Sequence, residues 1–170
     1  MTTNVKFAKV KPDAKIPSKR MEDMGFDIYA CFDEDYIAIH PNETKLIPTG
    51  IASSCDAEYG FLLRERGSTG SKGIALRAGV IDSGYRNEWF VGLTNTTNKV
   101  LFISKLTEKE TYSLYYGDSR PISFVYPYSK AIAQALVVPV PKVEVEELTY
   151  EELQEIPSER GLGALGSSNK

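Results

Sequence analysis

Apolar positions along the chain come in short runs separated by turn residues, not in long stripes. Val5, Phe7, Ala8 and Val10 alternate with lysines, which predicts a first strand over 5–10. Residues 11–24 are charged and contain proline, so they read as a loop. Strands are predicted at 26–30, with one acid, Asp27, inside an apolar run, and at 36–39, ended by His40-Pro41-Asn42-Glu43. Residues 45–52 read as extended but broken near Pro48 and Gly50, and 60–64 as the next strand. Val80 and Ile81, then Ser83-Gly84, then Trp89, Phe90, Val91 and Leu93 read as strand, turn and return strand of one β-hairpin, with Gly84 free to take a positive φ. Residues 100–103, 122–126 and 131–138 carry strand patterns; 105–116 fits either a turn of helix or a hairpin. An edge strand is predicted at 143–146 and a short helix at 149–153, where Thr149 and Glu152 have capping-box spacing. Short strands at regular spacing, with no internal repeat, predict an all-β fold of sandwich, barrel or jelly-roll type.

Composition narrows the function classes. The 170 residues suit one domain with a sizeable core. A net charge of −3 disfavours a general nucleic-acid or membrane-surface binder, while leaving room for a local basic pocket. Cys31 and Cys55 lack metal-ligand spacing and read as reduced thiols. His40 is the sole histidine, which argues against a His-based triad or a multi-histidine zinc site. Residues 1–6 lack a signal-peptide core and no apolar run would span a bilayer, so a cytoplasmic protein is expected.

Five places carry candidate chemistry. Asp82 ends an apolar run beside Tyr85, where a carboxylate next to an aromatic suits a small, flat, polar ligand; an aspartate that only caps the turn is the simpler alternative. Asp27 is either a site residue or an acid on a solvated strand face. The segment 65–73 packs glycines, hydroxyls, Arg66 and Lys72 together, as phosphate binding requires, but lacks P-loop spacing and no helix obviously follows it; a solvated surface loop is the alternative. Gln134 must find partners if buried, on backbone or on a ligand. The tail from Ser158 is rich in glycine, which favours disorder, yet it repeats the arginine, glycine and hydroxyl chemistry of 65–73.

Five ordered segments resemble the motifs of the trimeric dUTP pyrophosphatase (dUTPase) family, phage-type members included. They are Gly25-Phe26-Asp27-Ile28-Tyr29-Ala30, residues 66–73, Gly79-Val80-Ile81-Asp82-Ser83-Gly84-Tyr85-Arg86, residues 132–137 and residues 160–168; the third is the most specific. The resemblance implies a distorted jelly roll over 1–156, assembled as a homotrimer with active sites shared between subunits, and a flexible arm over 157–170 that closes each site. It implies hydrolysis of dUTP to dUMP and pyrophosphate with Mg²⁺, in the cytoplasm or in a host's cytoplasm. By resemblance Asp82 activates the attacking water and Tyr85 packs on the deoxyribose. Gly79, Val80 and Ile81 read the uracil, and Asp27 holds Mg²⁺ through water. Arg66, Gly67, Ser68, Lys72 and Gln134 bind phosphate oxygens. Arg160, Leu165, Gly166, Ser167 and Ser168 complete the site from the arm.

Three positions depart from the family pattern. Gly67 stands where serine usually follows the motif arginine, Ala131 where an arginine precedes the Ala-Gln pair, and Leu165 where an aromatic stacks on uracil. A lost stack is worth about 0.5–1.5 kcal/mol, so KM is expected to suffer more than the chemical step. Residues 96–128 exceed what a minimal member needs and read as an insert, either a decorated surface or, through exposed Tyr112, Tyr115 and Tyr116, a protein-binding surface. A dCTP deaminase-like enzyme and a dUTPase-like regulator acting on a protein partner are the alternative functions. A jelly-roll shell protein leaves the five polar motifs without a purpose.

Overall fold

The computed structural model describes residues 3–117 and 122–163. It divides into two compact units, Met1–Val140 and Pro141–Lys170. The described part of the first unit carries β1 (Lys6–Lys9), β2 (Phe26–Ile28), β3 (Tyr36–Ile39), β4 (Thr44–Pro48), β5 (Ile51–Ser54) and β6 (Tyr59–Arg64). After a helical turn α1 (Gly67–Gly70) come β7 (Ile74–Arg77), β8 (Val80–Ile81), β9 (Phe90–Asn95) and β10 (Val100–Ser104). Helix α2 (Glu108–Tyr116), β11 (Ser123–Pro127) and β12 (Ala133–Pro139) complete the unit. The expected all-β architecture is present, as a jelly roll of small sheets ordered β1-β5, β11-β10-β3, β4-β9-β7 and β2-β12-β6-β8.

Two expectations are corrected by the pairing. The segments around Asp82 do not form a hairpin ladder: β8 pairs with β6, whereas β9 lies between β4 and β7. The eight intervening residues are too many for a tight hairpin turn, and they are tied elsewhere. Trp89 N–H donates to Ile51 O at 2.8 Å, and Glu88 Oε1 accepts from Gly50 N–H at 2.7 Å. Gly84 is not among the residues with positive φ. The turn is closed by Tyr85 N–H donating to Asp82 O at 3.1 Å, a geometry that does not need glycine. The residue that does need it is Gly79, at φ +135, where a Cβ would sit 3.0 Å from Leu63 O.

The segment 105–116 resolves as helix for a topological reason. β10 and β11 pair in parallel, so the chain must cross over between them instead of turning back. Thr107 caps α2, accepting from Glu110 N–H while the Glu110 carboxylate accepts from Thr107 N–H at 2.9 Å. The α2 tyrosines are not freely exposed. Tyr112, Tyr115 and Tyr116 lie around the buried ring of Phe102 at centroid distances of 6.3, 4.9 and 6.1 Å. The Tyr112 hydroxyl donates to Ser123 O at 3.1 Å, and that of Tyr115 pairs with His40 Nε2 at 3.2 Å. Within 96–128, then, β10 belongs to the core and α2 lies over it, with Leu114 exposed.

The core joins the sheets through Ile28, Ile39, Leu63, Leu93, Leu101, Ile103 and Tyr126, all buried. At its centre Phe61 packs on Trp89 and Phe7, with centroids 4.9 and 5.7 Å apart. The second unit holds α3 (Tyr150–Glu155), capped by Thr149 and Glu152 at the spacing the sequence shows. The edge strand expected at 143–146 is not formed: these residues have no ladder pairing among the described residues, and alternation alone cannot make a strand without a neighbour to supply it.

Phe61→Ala is expected to cost about 3–5 kcal/mol through the cavity it leaves. Leu46→Ala, at an exposed position of β4, is expected to stay within about 0.5 kcal/mol. Urea midpoints at one fixed protein concentration check both.

Candidate active site

One cluster of the motif residues gathers where β2, β12 and the end of β6 meet. Antiparallel pairing sets Gln134 of β12 opposite Asp27 of β2 on one side and Arg64 of β6 on the other. The Asp27 carboxylate takes Arg66 side on, with Nε 3.0 Å from Oδ1 and Nη2 3.4 Å from Oδ2. Both side chains remain about a third exposed, so the pair contributes no more than about 1 kcal/mol and is free to exchange partners. Gln134 answers to backbone: its Nε2–H donates to Glu65 O at 2.8 Å. Gly25 makes room for that amide, because a Cβ there would meet Gln134 Oε1 at 2.9 Å.

The segment after Arg66 is a single helical turn, not the open loop expected from its glycines. Thr69, fully buried, holds it: its hydroxyl accepts from Arg66 N–H and donates to Arg66 O, each at 3.0 Å. Gly67 and Ser68 are exposed at the tip, and a Cβ at 67 would meet nothing within 4 Å. Lys72 follows, its Nζ 5.8 Å from the centre of the Tyr126 ring. Glu65 anchors the other side, with Oε1 accepting from Leu76 N–H at 3.0 Å. That hydrogen bond, more than any neighbouring charge, holds the Glu65 carboxyl below its ordinary value.

A second cluster surrounds Asp82. Leu63 N–H donates to Gly79 O at 2.7 Å, and β8 then runs along β6 with Val80 opposite Leu62 and Ile81 opposite Phe61. Beneath the strand end is a hollow of about 180 Å³ lined by Tyr59 to Leu62, Val80 to Ser83, and Val138 and Val140. Asp82 is exposed at its rim, and its carboxylate has no hydrogen-bond or ion-pair partner among the described residues. The capping alternative therefore gets no support, since the turn is closed by the carbonyl. Tyr85 is pinned by its hydroxyl, which donates to Glu88 O at 3.0 Å. Arg86 donates to Ser53 O at 3.2 Å and to Ser83 O.

These groups match a known family. The dUTPase family model covers residues 13–107, more than half of the chain. A deoxyuridine 5'-triphosphate nucleotidohydrolase of Nautilia profundicola is 33% identical over 170 residues, spanning 98% of this chain and 99% of that protein. The chain belongs to the dUTPase family. A relative of the same description from Leptospira interrogans is 33% identical over 133 residues, 76% of this chain and 75% of that one. Among solved structures, the dUTPase of Staphylococcus bacteriophage 80alpha with dUpNHpp superposes at TM-score 0.74 over 99% of this chain and all of that one, at 22% identity. The dUTPase of phage phi11 of S. aureus, described with a species-specific insert, gives 0.67 over 86% of this chain and 96% of that one, at 19% identity. These two show the same fold.

Within this chain the register sets the two clusters apart. Asp82 falls beside Gly60 by continuation of the β8–β6 register, while Arg66 lies six residues further on. At the rise of an extended chain that is about 20 Å. Of the tail residues, Arg160 is described, with Nε–H donating to Gly163 O at 3.0 Å. Leu165, Gly166, Ser167 and Ser168 lie outside the described residues. A larger hollow, about 760 Å³, is an open groove on α2 between Leu106 and Leu114 and contains none of the motif residues. No helix among the described residues is long and apolar enough to cross a membrane.

Sequence reasoning missed Glu65, Thr69, Glu88 and Tyr126. Thr69 has a legible signal in its spacing of three from Arg66, and Tyr126 in being a phenol in an apolar run; Glu65 and Glu88 act through tertiary partners that no local pattern shows.

Because its folded value is depressed, the Glu65 carboxylate contributes stability that is complete above the unfolded value of about 4.3. That contribution is lost as pH falls through the lower folded value. Glu65→Gln is expected to be about 1 kcal/mol less stable at neutral pH, with the gap closing in acid; urea midpoints across a pH series read it.

Proposed function

We infer that the chain hydrolyses dUTP to dUMP and pyrophosphate, removing dUTP and supplying dUMP. The observation that carries the catalytic assignment is the exposed, unpartnered Asp82 carboxylate at the rim of a small hollow with backbone walls. Asp82 accepts a proton from water as the water oxygen attacks the α-phosphorus. The bond from that phosphorus to the bridging oxygen of the β-phosphate breaks, and pyrophosphate leaves. The same carboxylate contacts the sugar 3′-hydroxyl. Tyr85, fixed through Glu88, packs on the deoxyribose and leaves no room for a 2′-hydroxyl. The backbone of Gly79, Val80 and Ile81 reads the uracil edge.

Arg66, Gly67, Ser68 and Lys72 hold phosphate oxygens. Gln134 contributes by fixing the Glu65 carbonyl and so the start of that turn. Arg66 is expected to exchange Asp27 for a phosphate, which the exposure of that pair makes inexpensive. Asp27 then suits a hydrated Mg²⁺, which keeps several waters and takes one or two carboxylates beside substrate phosphates. When bound, the cation would share the triphosphate charge. Arg160 and the residues 165–168 would close over the phosphates and base.

The separation of the two clusters favours a site completed between copies, as in the family's homotrimer. The unpaired run at 143–146 is available as a strand for a neighbouring copy. A protein partner is a further expectation for the exposed side of α2, where Leu114 stands out; a pull-down with and without 105–122 tests it.

Pyrophosphate release with Mg²⁺ is expected from dUTP, with UTP, dTTP and dCTP turned over at least about 100-fold less efficiently. Asp82→Asn is expected to lower kcat by about 100- to 10,000-fold while dUTP still binds. Asp27→Asn is expected to raise the Mg²⁺ concentration needed for half-maximal rate. Ammonia release from dCTP, or dUTP binding without turnover in the unaltered chain, would contradict the assignment.

A further inference from the structure

Tyr126 is a polar residue at the core side of the phosphate-binding turn, and the catalytic scheme above does not use it. It is fully buried. Its hydroxyl donates to Ala131 O at 2.7 Å and lies 3.3 Å from Ser68 Oγ, while its ring lies under Lys72 Nζ at 5.8 Å. One side chain from β11 thus reaches Ser68 at the tip of the turn, lies under Lys72 just after it, and bonds the backbone leading into β12. Ala131, where the family pattern carries arginine, offers only its carbonyl to this corner, and Tyr126 is the side chain that takes it.

We propose that Tyr126 is the positioning residue for the phosphate-binding turn, acting on substrate through Ser68 and Lys72. This rests on the phosphate-binding reading of that turn. The hydroxyl has one proton, and in the described state Ala131 O holds it. The Tyr126 oxygen is therefore an acceptor for the Ser68 hydroxyl, which parks Oγ at a fixed point of an otherwise exposed tip. When a phosphate oxygen arrives, the Ser68 proton rotates to it, and the Tyr126 proton is the one that can turn to Ser68 Oγ. Two O–H groups rotate and no covalent bond changes. The ring meanwhile holds the Lys72 ammonium over its face by cation–π attraction, so the cation stays near the same anion. The arrangement also explains why a serine displaced by one position, at 68 and not 67, can serve. A Cβ at 67 would meet nothing within 4 Å, whereas Ser68 Oγ already lies 3.3 Å from the phenol.

Steady-state kinetics on dUTP with Tyr126→Phe, Ser68→Ala and the double variant test this, with thermal unfolding confirming that each is folded. Tyr126→Phe is expected to raise KM about 3- to 10-fold, the worth of one neutral hydrogen bond, with kcat within about twofold. In the Ser68→Ala background the same change is expected to have no further effect, because the two act as one unit. An equal effect of Tyr126→Phe in both backgrounds would overturn the proposal and leave the tyrosine a packing role only. An unchanged KM in Ser68→Ala would instead overturn the phosphate reading of Ser68 itself, and the proposal with it. A second test does not alter the core. The exchange Gly67→Ser with Ser68→Gly, which restores the family order of residues, is expected to raise KM by a similar factor. An unchanged or lower KM would overturn the proposal.

Discussion

The register of β6 is the constraint on which the candidate site depends. This strand is hydrogen-bonded to β12 on one side and to β8 on the other. The β8 side sets Asp82 at the Gly60 end and forms the hollow beneath it. The β12 side sets Gln134 against the far end, where its amide holds the Glu65 carbonyl and Arg66 leaves the sheet. A slip of one residue in either ladder would turn every one of these side chains to the other face. The buried rings of Phe61 and Trp89 oppose such a slip, since it would expose Phe61.

The chemistry at the two ends is held by different means. The turn after Arg66 owes its shape to partly buried hydrogen bonds: Thr69 closing on Arg66, Gln134 on Glu65, and Glu65 on Leu76. The charged pair Asp27–Arg66 is solvated and weak by comparison, so it can open without loss of the turn. At the other end, Asp82 has no partner among the described residues, while its neighbours Tyr85, Arg86 and Glu88 are all tied to backbone. A rigid turn that presents one free carboxylate is suited to receiving a proton; a rigid turn presenting cations and hydroxyls is suited to an anion.

Much of this was legible in the sequence because it is local. The strands at 36–39 and 60–64, the break between Pro48 and Gly50, and the Thr149 capping box follow from propensity, turn chemistry and short spacing. What was not legible is non-local. The run around Val80 looks like half of a hairpin, yet its partner is β6, because Trp89 is drawn into the core and carries β9 to another sheet. The segment 105–116 was ambiguous until the parallel pairing of β10 and β11 required a crossover. The glycines of 67–70 suggested an open loop, whereas a buried threonine winds them into a helical turn. Residue type and motif single out Asp27, Arg66 and Asp82, but how far apart Asp82 and Arg66 fall along β6 depends on register, which no motif contains.

On the proposed function, the two halves of the site lie about 20 Å apart along β6 within one chain, and a working site takes them from two copies. Co-refolding equal amounts of Asp82→Asn and Arg66→Ala chains, each inactive alone, tests this directly. If the halves come from different copies, random mixing regenerates about a quarter of the wild-type dUTPase rate per site, the statistical share of sites that receive both intact halves. No recovery in mixtures shown to contain mixed oligomers would contradict the account and place the whole site within a single chain.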